Sequence, residues 1–404
     1  MNYDVKKAWY FNVAFDLSLA GYDLSRLRPV FAESTVYFSC VGNSRDSIVL
    51  DTEPDDSYYE YLSAEGIQYP RPLSGKAGGR GEFVGAPWGW NAEADERFSS
   101  LNVRTDHPPL DIVRRVNSRA FSFDFCRSCD YGIPGSNIFF ESGPLLAFLH
   151  ERAQYPCVVK PFHGNAGIGF IHLKTPQLSM QEKQRIVQLF ASGTGGAVYE
   201  PWLDRTTDIS TRLSVEKDGA ITGISHHRTL NNSGGVFYGI ILAPVDDQVG
   251  PWAEKLDFVA KSAGAALYKE GYYGPAGIDS FVYRTGTNCH ALASCVEINS
   301  RTTMSLPAYS LREKLAPNSC CLFEFVPSKH YRQIKDYSTL SSLAYDPEKQ
   351  HGVHIFTPLH LKTGAGFKTP GKTGFFIVAG SISELYGLDR QLRARFKSKS
   401  GAAG

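Results

Sequence analysis

Two adjoining strand patterns constrain this chain more than any other feature. The runs AGIDSFVY (276–283) and ALASCVEIN (291–299) flank Arg284-Thr285-Gly286-Thr287 and predict a hairpin. Side chains alternate along a strand, so Glu297 and Asn299 share one face while Val296 and Ile298 occupy the other. A hairpin partner brings Asp279 beside them. The sheet so built has an apolar side that must be covered and a polar side carrying two carboxylates and an amide. Hard oxygen ligands of this kind suit Mg²⁺, which leaves other positions for phosphates and water. Arg301 continues the alternation and fits a transferring phosphoryl group or a substrate carboxylate. A plain solvent-facing sheet surface is the bland alternative.

From about residue 111 the pattern alternates strand and helix. YPCVV (155–159) reads as a short buried strand ending at Lys160. LSMQEKQRIVQLF (178–190) reads as a helix, with Ser179 and Glu182 at capping-box spacing. RLSVE and AITGISHHR flank Lys217-Asp218-Gly219, where glycine accepts the positive φ that a hairpin turn needs. Residues 251–270 predict a helix opened by Pro251 and stopped by Gly271. Residues 1–110 mix strand-like runs such as STVYFSCV (34–41) with glycine- and proline-rich breaks, and the segment 74–90 reads as a loop. Its Gly75-Lys76 lacks both the following Ser or Thr and the upstream glycine spacing of a phosphate loop. The basic end RARFKSKSGAAG reads as a solvated or frayed terminus.

Two further segments carry chemistry. In VVKPFHGNAGIGF (158–170), a strand ends at Lys160 and is followed by Gly164, Gly167 and Gly169. Glycines let backbone amides approach phosphate oxygens, and lysine supplies a point charge. Taken alone, an ordinary glycine-rich hairpin is the simpler reading, and the strand-like FIHL that follows excludes a Rossmann turn. In AVYEPWLDRTTD (197–208), Glu200, Trp202, Leu203 and Asp208 fit a linker that clasps a nucleobase and ribose. Taken alone, an edge strand with an acidic turn is the simpler reading.

Composition excludes several classes. With 42 basic and 41 acidic residues, the 404-residue chain has a net charge of +1 and no whole-chain footprint for nucleic acid or an anionic membrane. No apolar run approaches the roughly 18 residues of a membrane span. No export signal is expected at the amino terminus, and eight cysteines without framework spacing fit a cytoplasmic protein with reduced thiols. Cys126-x-x-Cys129, Cys320 and Cys321 read as structural thiols, and His351, His354 and His360 as packing residues. The lysines 362, 368 and 372 fit either a mobile cover over substrate or an exposed basic loop.

Taken in order, VVKPFHGNAGIGF, YEPWLDRTTD, AGIDSF and VEINSR resemble the ATP-grasp superfamily over about residues 111–310, with VEINSR the most specific part. The resemblance implies an α/β (α+β) architecture, with two α+β subdomains clasping ATP behind an N-terminal α/β domain. The expected division is 1–110 for that first domain, 111–195 for the subdomain with the glycine loop, and 196–404 for the subdomain with the metal site and a C-terminal extension. It implies that Lys160 and Arg119, from VNSR (116–119), contact phosphates, with the glycine loop over them. Glu200, Leu203 and Asp208 would hold adenosine; Asp279, Glu297 and Asn299 would bind one or two Mg²⁺ or Mn²⁺ ions. Arg228 and Arg301 would act on the phosphoryl group and the acyl phosphate.

APWGWN (86–91) and VNSR also resemble the domain that precedes ATP-grasp modules in peptide ligases of natural-product biosynthesis. Gly277 stands where D-alanine–D-alanine ligases carry an arginine, which counts against that activity. The implied activity is ADP-forming ligation of a carboxylate to an amine through an acyl phosphate, by a cytoplasmic enzyme and possible homodimer with neither nucleic-acid nor membrane partners. An ATP-grasp kinase and a non-catalytic ATP-binding module are the alternatives.

Overall fold

The computed structural model describes residues 5–24, 27–73, 75, 81–164, 167, 169–191, 195–232, 234–364 and 366–397. Three main sheets organise them. The first is parallel, in the order β3-β2-β1-β4, from β1 (Lys7–Tyr10), β2 (Ser47–Ile48), β3 (Arg71–Pro72) and β4 (Val84–Pro87). Around it lie α1 (Phe15–Leu19), α2 (Arg28–Ser34), α3 (Asp56–Ala64) and α4 (Ala92–Ser100). Two expectations fail here. Residues 34–41 are the end of α2 and a series of turns, because Val36, Phe38 and Cys40 are wholly enclosed and no partner strand runs beside them. Residues 84–87 form a strand rather than a loop. Gly85 and Gly89 serve close approach there, since a Cβ would lie 2.7 Å from Phe98 and 2.5 Å from Phe15. Residues 74 and 76–80 of that glycine-rich stretch lie outside the described residues.

After α5 (Leu110–Val116) and α6 (Arg119–Cys129) comes a second, antiparallel sheet, ordered β5-β8-β6-β7. It comprises β5 (Asn137–Phe139), β6 (Cys157–Pro161), β7 (Ile171–Leu173) and β8 (Ala197–Pro201). α7 (Ser142–Glu151) and α8 (Met180–Ala191) bury Leu145, Leu149, Ile186 and Leu189 against its outer face. The Ser179–Glu182 capping box forms as expected, with each backbone N–H donating to the other side chain.

The third sheet has eight antiparallel strands in the order β13-β12-β9-β10-β11-β14-β18-β15. Its site-bearing half is β9 (Arg205–Val215), β10 (Ile221–Asn231), β11 (Phe237–Leu242), β12 (Gly274–Gly286) and β13 (Cys289–Asn299). α9 (Ala253–Lys269) covers the apolar face, burying Val259, Ala263 and Leu267 in a core with Leu213, Ile278 and Ile298. α6 closes the open edge of β13: the Ile298 N–H donates to Ser122 and the Cys126 thiol to the Cys295 carbonyl. Covering an edge in this way prevents stray strand addition.

After α10 (Ser305–Leu315) the other half is β14 (Cys320–Pro327), β15 (Gly352–Ile355) and β18 (Lys372–Ala379), with the small hairpin β16 (Leu361–Thr363) and β17 (Gly366–Lys368) between. Lys362 and Lys368 on this hairpin pair with Asp56 and Glu33, tying it to the N-terminal region. His354 is fully buried and stacks on Tyr61, a packing role. α11 (Ile382–Phe396) corrects the frayed-end expectation: Arg393 reaches fully buried Glu324 at 2.5 Å, and Leu388, Leu392 and Phe396 are buried. Residues 398–404 lie outside the described residues. Among the described residues all eight cysteines are free thiols, and no helix is long and apolar enough to cross a membrane.

Candidate functional site

The sheet register builds the site. Directly opposed residues of neighbouring strands point to the same face. Across β13, β12, β9 and β10, one row therefore reads Glu297, Asp279, Ser210, His227 and the next reads Asn299, Gly277, Arg212, Ser225. Both rows lie on the face opposite α9. Asp208 is two residues from Ser210 on the same strand and continues that face.

Asp279 accepts a hydrogen bond from the Asn299 amide at 3.0 Å and one from the Ser210 hydroxyl. Its pKa is pushed up to about 6, first by burial and then by the neighbouring Glu297 carboxylate. Two close carboxylates and an oriented amide, all on one face, form the hard-oxygen donor set that a divalent cation completes. Among the described residues no three His, Cys, Asp or Glu side chains converge into a metal nest. Asp279, Glu297 and Asn299 could hold an ion only with further ligands from outside the protein, such as phosphates and water.

Arg301 turns back from the end of β13 onto α1. Its Nε donates to Asp16 at 2.9 Å and its Nη2 lies 2.8 Å from the second Asp16 oxygen. Nη2 also donates to the Asn299 Oδ1 at 3.1 Å, so one guanidinium links the N-terminal helix to the Asn299 amide. Asp16 raises the Arg301 pKa against the opposing effect of burial.

α6 and β6 supply the other cations. Ser118 caps α6 by accepting from the Ala120 N–H, which sets Arg119 at the helix start. Arg119 contacts Glu297 at 2.9 Å and donates to the Pro161 carbonyl at 2.8 Å. Lys160 is 5% exposed, and its Nζ lies 2.5 Å from Glu200 on the paired strand β8. The ring of Phe170 stands 5.1 Å from the Arg119 guanidinium and 5.4 Å from the Lys160 ammonium. Lys160, Arg119, Glu297, Asp279, Asn299 and Arg301 thus form one continuous run.

Gly164 leaves β6 beside this run; Gly167 and Gly169 adopt φ of +82° and +84°, a region that glycine enters without Cβ strain. Residues 165, 166 and 168 of the loop lie outside the described residues. His163 is buried, and its pKa is lowered to about 4 by burial, then by Arg114 and Arg119. Leu203 packs with Ile133 and Phe281, and Phe281, opposite Asp208 and two residues along β12 from Asp279, lies on the polar face itself. Asp208 accepts from Asn231 at 3.0 Å and lies 3.5 Å from Arg205. The structure thus groups Arg119, Lys160, Glu200, Asp279, Glu297, Asn299 and Arg301, with the glycine loop, Leu203 and Asp208 at the margins.

Arg228 does not join them. It pairs in register with Ile209, whose side chain packs with Leu256 of α9, so Arg228 points to the opposite face of the sheet. There it bonds Asp246 at 2.6 Å, beside an open cavity of about 520 Å³ lined by Asp246, His226 and Val249. Sequence reasoning missed Asp16, Ser210 and Arg212. The alternating run Asp208, Ser210, Arg212 was the available signal for the last two; Asp16 left none.

No family profile matches the chain, and no curated protein sequence does. Solved structures do. The carboxyaminoimidazole ribonucleotide synthase of Aspergillus clavatus, complexed with ATP, superposes with a TM-score of 0.56 at 14% identity, covering 96% of this chain and 98% of that one. A Campylobacter jejuni biotin carboxylase gives 0.57 at 10% identity, covering 97% and 92%. The biotin carboxylase domain of a Hydrogenobacter thermophilus 2-oxoglutarate carboxylase, solved with MgADP and bicarbonate, gives 0.55 at 11%, covering 97% and 90%. At these identities each likeness is one of fold.

Proposed function

We propose, from the ATP-grasp fold that this chain has, that it is an ATP-dependent, ADP-forming enzyme that ligates a carboxylate to an amine. The observation that carries this reading is the series of contacts from Lys160, across the Phe170 ring, to Arg119, Glu297, Asp279, Asn299 and Arg301. A chain that only clasped a nucleotide has no need of paired carboxylates, an oriented amide and three enclosed cations in series. The fold neighbours described with ATP, MgADP and bicarbonate support the same reading.

In this proposal Arg119, Lys160 and the backbone amides of Gly164, Gly167 and Gly169 hold the phosphates. Glu200, Leu203 and Asp208 hold adenosine. Asp279, Glu297 and Asn299 hold Mg²⁺ or Mn²⁺, which when bound neutralises phosphate charge. The regions 1–110, 111–195 and 196–404 are its proposed units, with β8 (Ala197–Pro201) at the start of the third completing the sheet of the second. Lys160 and Arg119 each sit against a carboxylate, Glu200 or Glu297, so phosphate would replace both partners, freeing Glu200 for adenosine and Glu297 for the metal ion. A carboxylate oxygen attacks the γ-phosphorus and the bond to the bridging oxygen breaks, releasing ADP. The amine nitrogen then attacks the acyl carbon, the carbon–oxygen bond to phosphate breaks, and the amine proton passes to solvent. Such chemistry depends on positioning and charge neutralisation more than on covalent help. The finer proposal is an amide or peptide bond in small-molecule biosynthesis. Arg228, turned away on the other face, is assigned no part.

The test is ADP release over a matrix of carboxylic acids and amines, with products identified by mass spectrometry. ADP and an amide appearing only when acid and amine are both present is the expected result. Phosphate transfer to a single acceptor without an amide would replace ligation by a kinase reading; ATP binding with no ADP across the matrix would leave a binding module.

A further inference from the structure

The second row of the polar face holds a cation that the proposed reaction has not used. Arg212 lies between Gly277 and Ser225 in register, and its guanidinium stands 4.0 Å from the ring centroid of Tyr309 on α10. Among the described residues it makes no ion pair and no hydrogen bond, while Arg119, Arg228 and Arg301 all face carboxylates. Half-buried arginines usually have an acidic partner; this one has an aromatic platform and free N–H groups. Gly277 adds no side chain to compete for the space, and Thr303 packs where a Cβ would project.

His227 stands on the same face, one row along, opposite Ser210. It is 3% exposed, its Nδ1 has no partner, and its ring meets Tyr309 edge-on at 5.7 Å. Burial, with Arg212 and then His226 nearby, lowers its pKa to about 3, so it is neutral and offers one N–H. An unpaired guanidinium beside an unsatisfied neutral imidazole makes a donor set for an oxyanion.

We propose that Arg212 and His227, backed by Tyr309, bind an oxyanion of the non-nucleotide substrate: the carboxylate to be activated, or the phosphoryl group of its acyl phosphate. The placement follows from the two rows. Diagonal neighbours on adjacent strands lie roughly 7–8 Å apart, which puts the Arg212 row one short step from Asp279. A carboxylate held there would face phosphoryl oxygens gathered by the divalent ion that Asp279 and Glu297 would hold. This assignment rests on the ligase reading, and it moves the anion-binding duty expected of Arg228 to a residue on the correct face.

The experiment uses ¹⁵N-histidine-labelled full-length protein, with the His227 resonances assigned through His227→Gln. Acetate and inorganic phosphate are titrated separately, with and without MgADP. In the wild type the His227 signals shift saturably. Arg212→Met abolishes the shift or weakens affinity at least tenfold, and Arg212→Lys retains part of it. Tighter response to acetate identifies the substrate carboxylate as the occupant, and tighter response to phosphate identifies the phosphoryl group. No shift in the wild type, or an equal shift in Arg212→Met, overturns the proposal; the wild-type and Arg212→Lys titrations decide it if Arg212→Met does not fold. MgADP affinity, measured by calorimetry on the same samples, reports on the ligase reading independently: it should be unchanged by Arg212→Met, and its absence in the wild type would sink that reading alone.

Discussion

Replacing Asp16 by asparagine tests how the N-terminal region serves the site. The Arg301 and Asp16 side chains are 12% and 11% exposed, so the pair is little screened by solvent. Both carboxylate oxygens are used, at 2.9 Å from Nε and 2.8 Å from Nη2. Asparagine keeps one acceptor and turns an NH₂ donor toward a guanidinium donor, leaving the buried cation half-paired. Removing one partner of a buried pair costs about 3–5 kcal/mol, and the retained hydrogen bond brings the expected loss to about 2–3 kcal/mol. Urea unfolding followed by tryptophan fluorescence measures it, because Trp88 lies 5.6 Å from the Arg301 guanidinium. Turnover should fall as well, since Arg301 also fixes the Asn299 Oδ1. A double-mutant cycle of Asp16→Asn with Arg301→Gln isolates the pair and should give a coupling above about 1 kcal/mol. A stability loss under about 0.5 kcal/mol with unchanged turnover would refute the reasoning.

Three other outcomes are expected. Glu297→Gln should lower kcat about 10²–10³-fold with little change in melting temperature, because relief of the repulsion between Glu297 and Asp279 offsets the weakened pairing with Arg119; undiminished magnesium-dependent turnover would remove Glu297 from the metal site. Lys160→Met should weaken ATP binding about 10–100-fold by calorimetry, the scale of one charge-assisted hydrogen bond, and equal affinity would dismiss the phosphate role. His354 is buried with its pKa lowered from 6.5 to about 3, so the unfolded chain binds the extra proton between those values and stability falls as pH drops from about 6.5 toward 3. The contribution reaches about 1.4 kcal/mol per pH unit, and thermal melts of His354→Gln should show a correspondingly flatter acid limb.

Local patterns carried the reading where chemistry and period coincide. The 276–299 hairpin, the Ser179–Glu182 cap and the side-by-side placement of Glu297 and Asn299 follow from alternation and capping alone, and the structure contains all three. Failures arose where an answer depends on register between distant strands. Arg228 has the charge for a phosphate ligand, but which face it takes is set by pairing with β9, across a shift between Thr222 and Ser225. Nothing near Arg228 in the sequence encodes that parity. Asp16 sits in a five-residue helix with no motif, and only the fold delivers it to Arg301. The 34–41 run has strand propensity, yet it is enclosed as turns because packing on all sides overrides local preference.

The strand order of the large sheet has a consequence for how the protein assembles in time. β9 to β13, which carry both polar rows, occupy a continuous stretch of chain from Arg205 to Asn299. Their pairings are hairpins or short returns, apart from the crossing made by α9, and local contacts of this kind form early. The clasp of Arg301 on Asp16 joins residues 285 apart. A ribosome therefore releases the segment that holds Asp279, Glu297 and Asn299 before β14, β15 and β18 exist. The N-terminal helix, though made first, must wait for Arg301 to emerge. The polar face is thus completed by the oldest part of the chain meeting a much younger one.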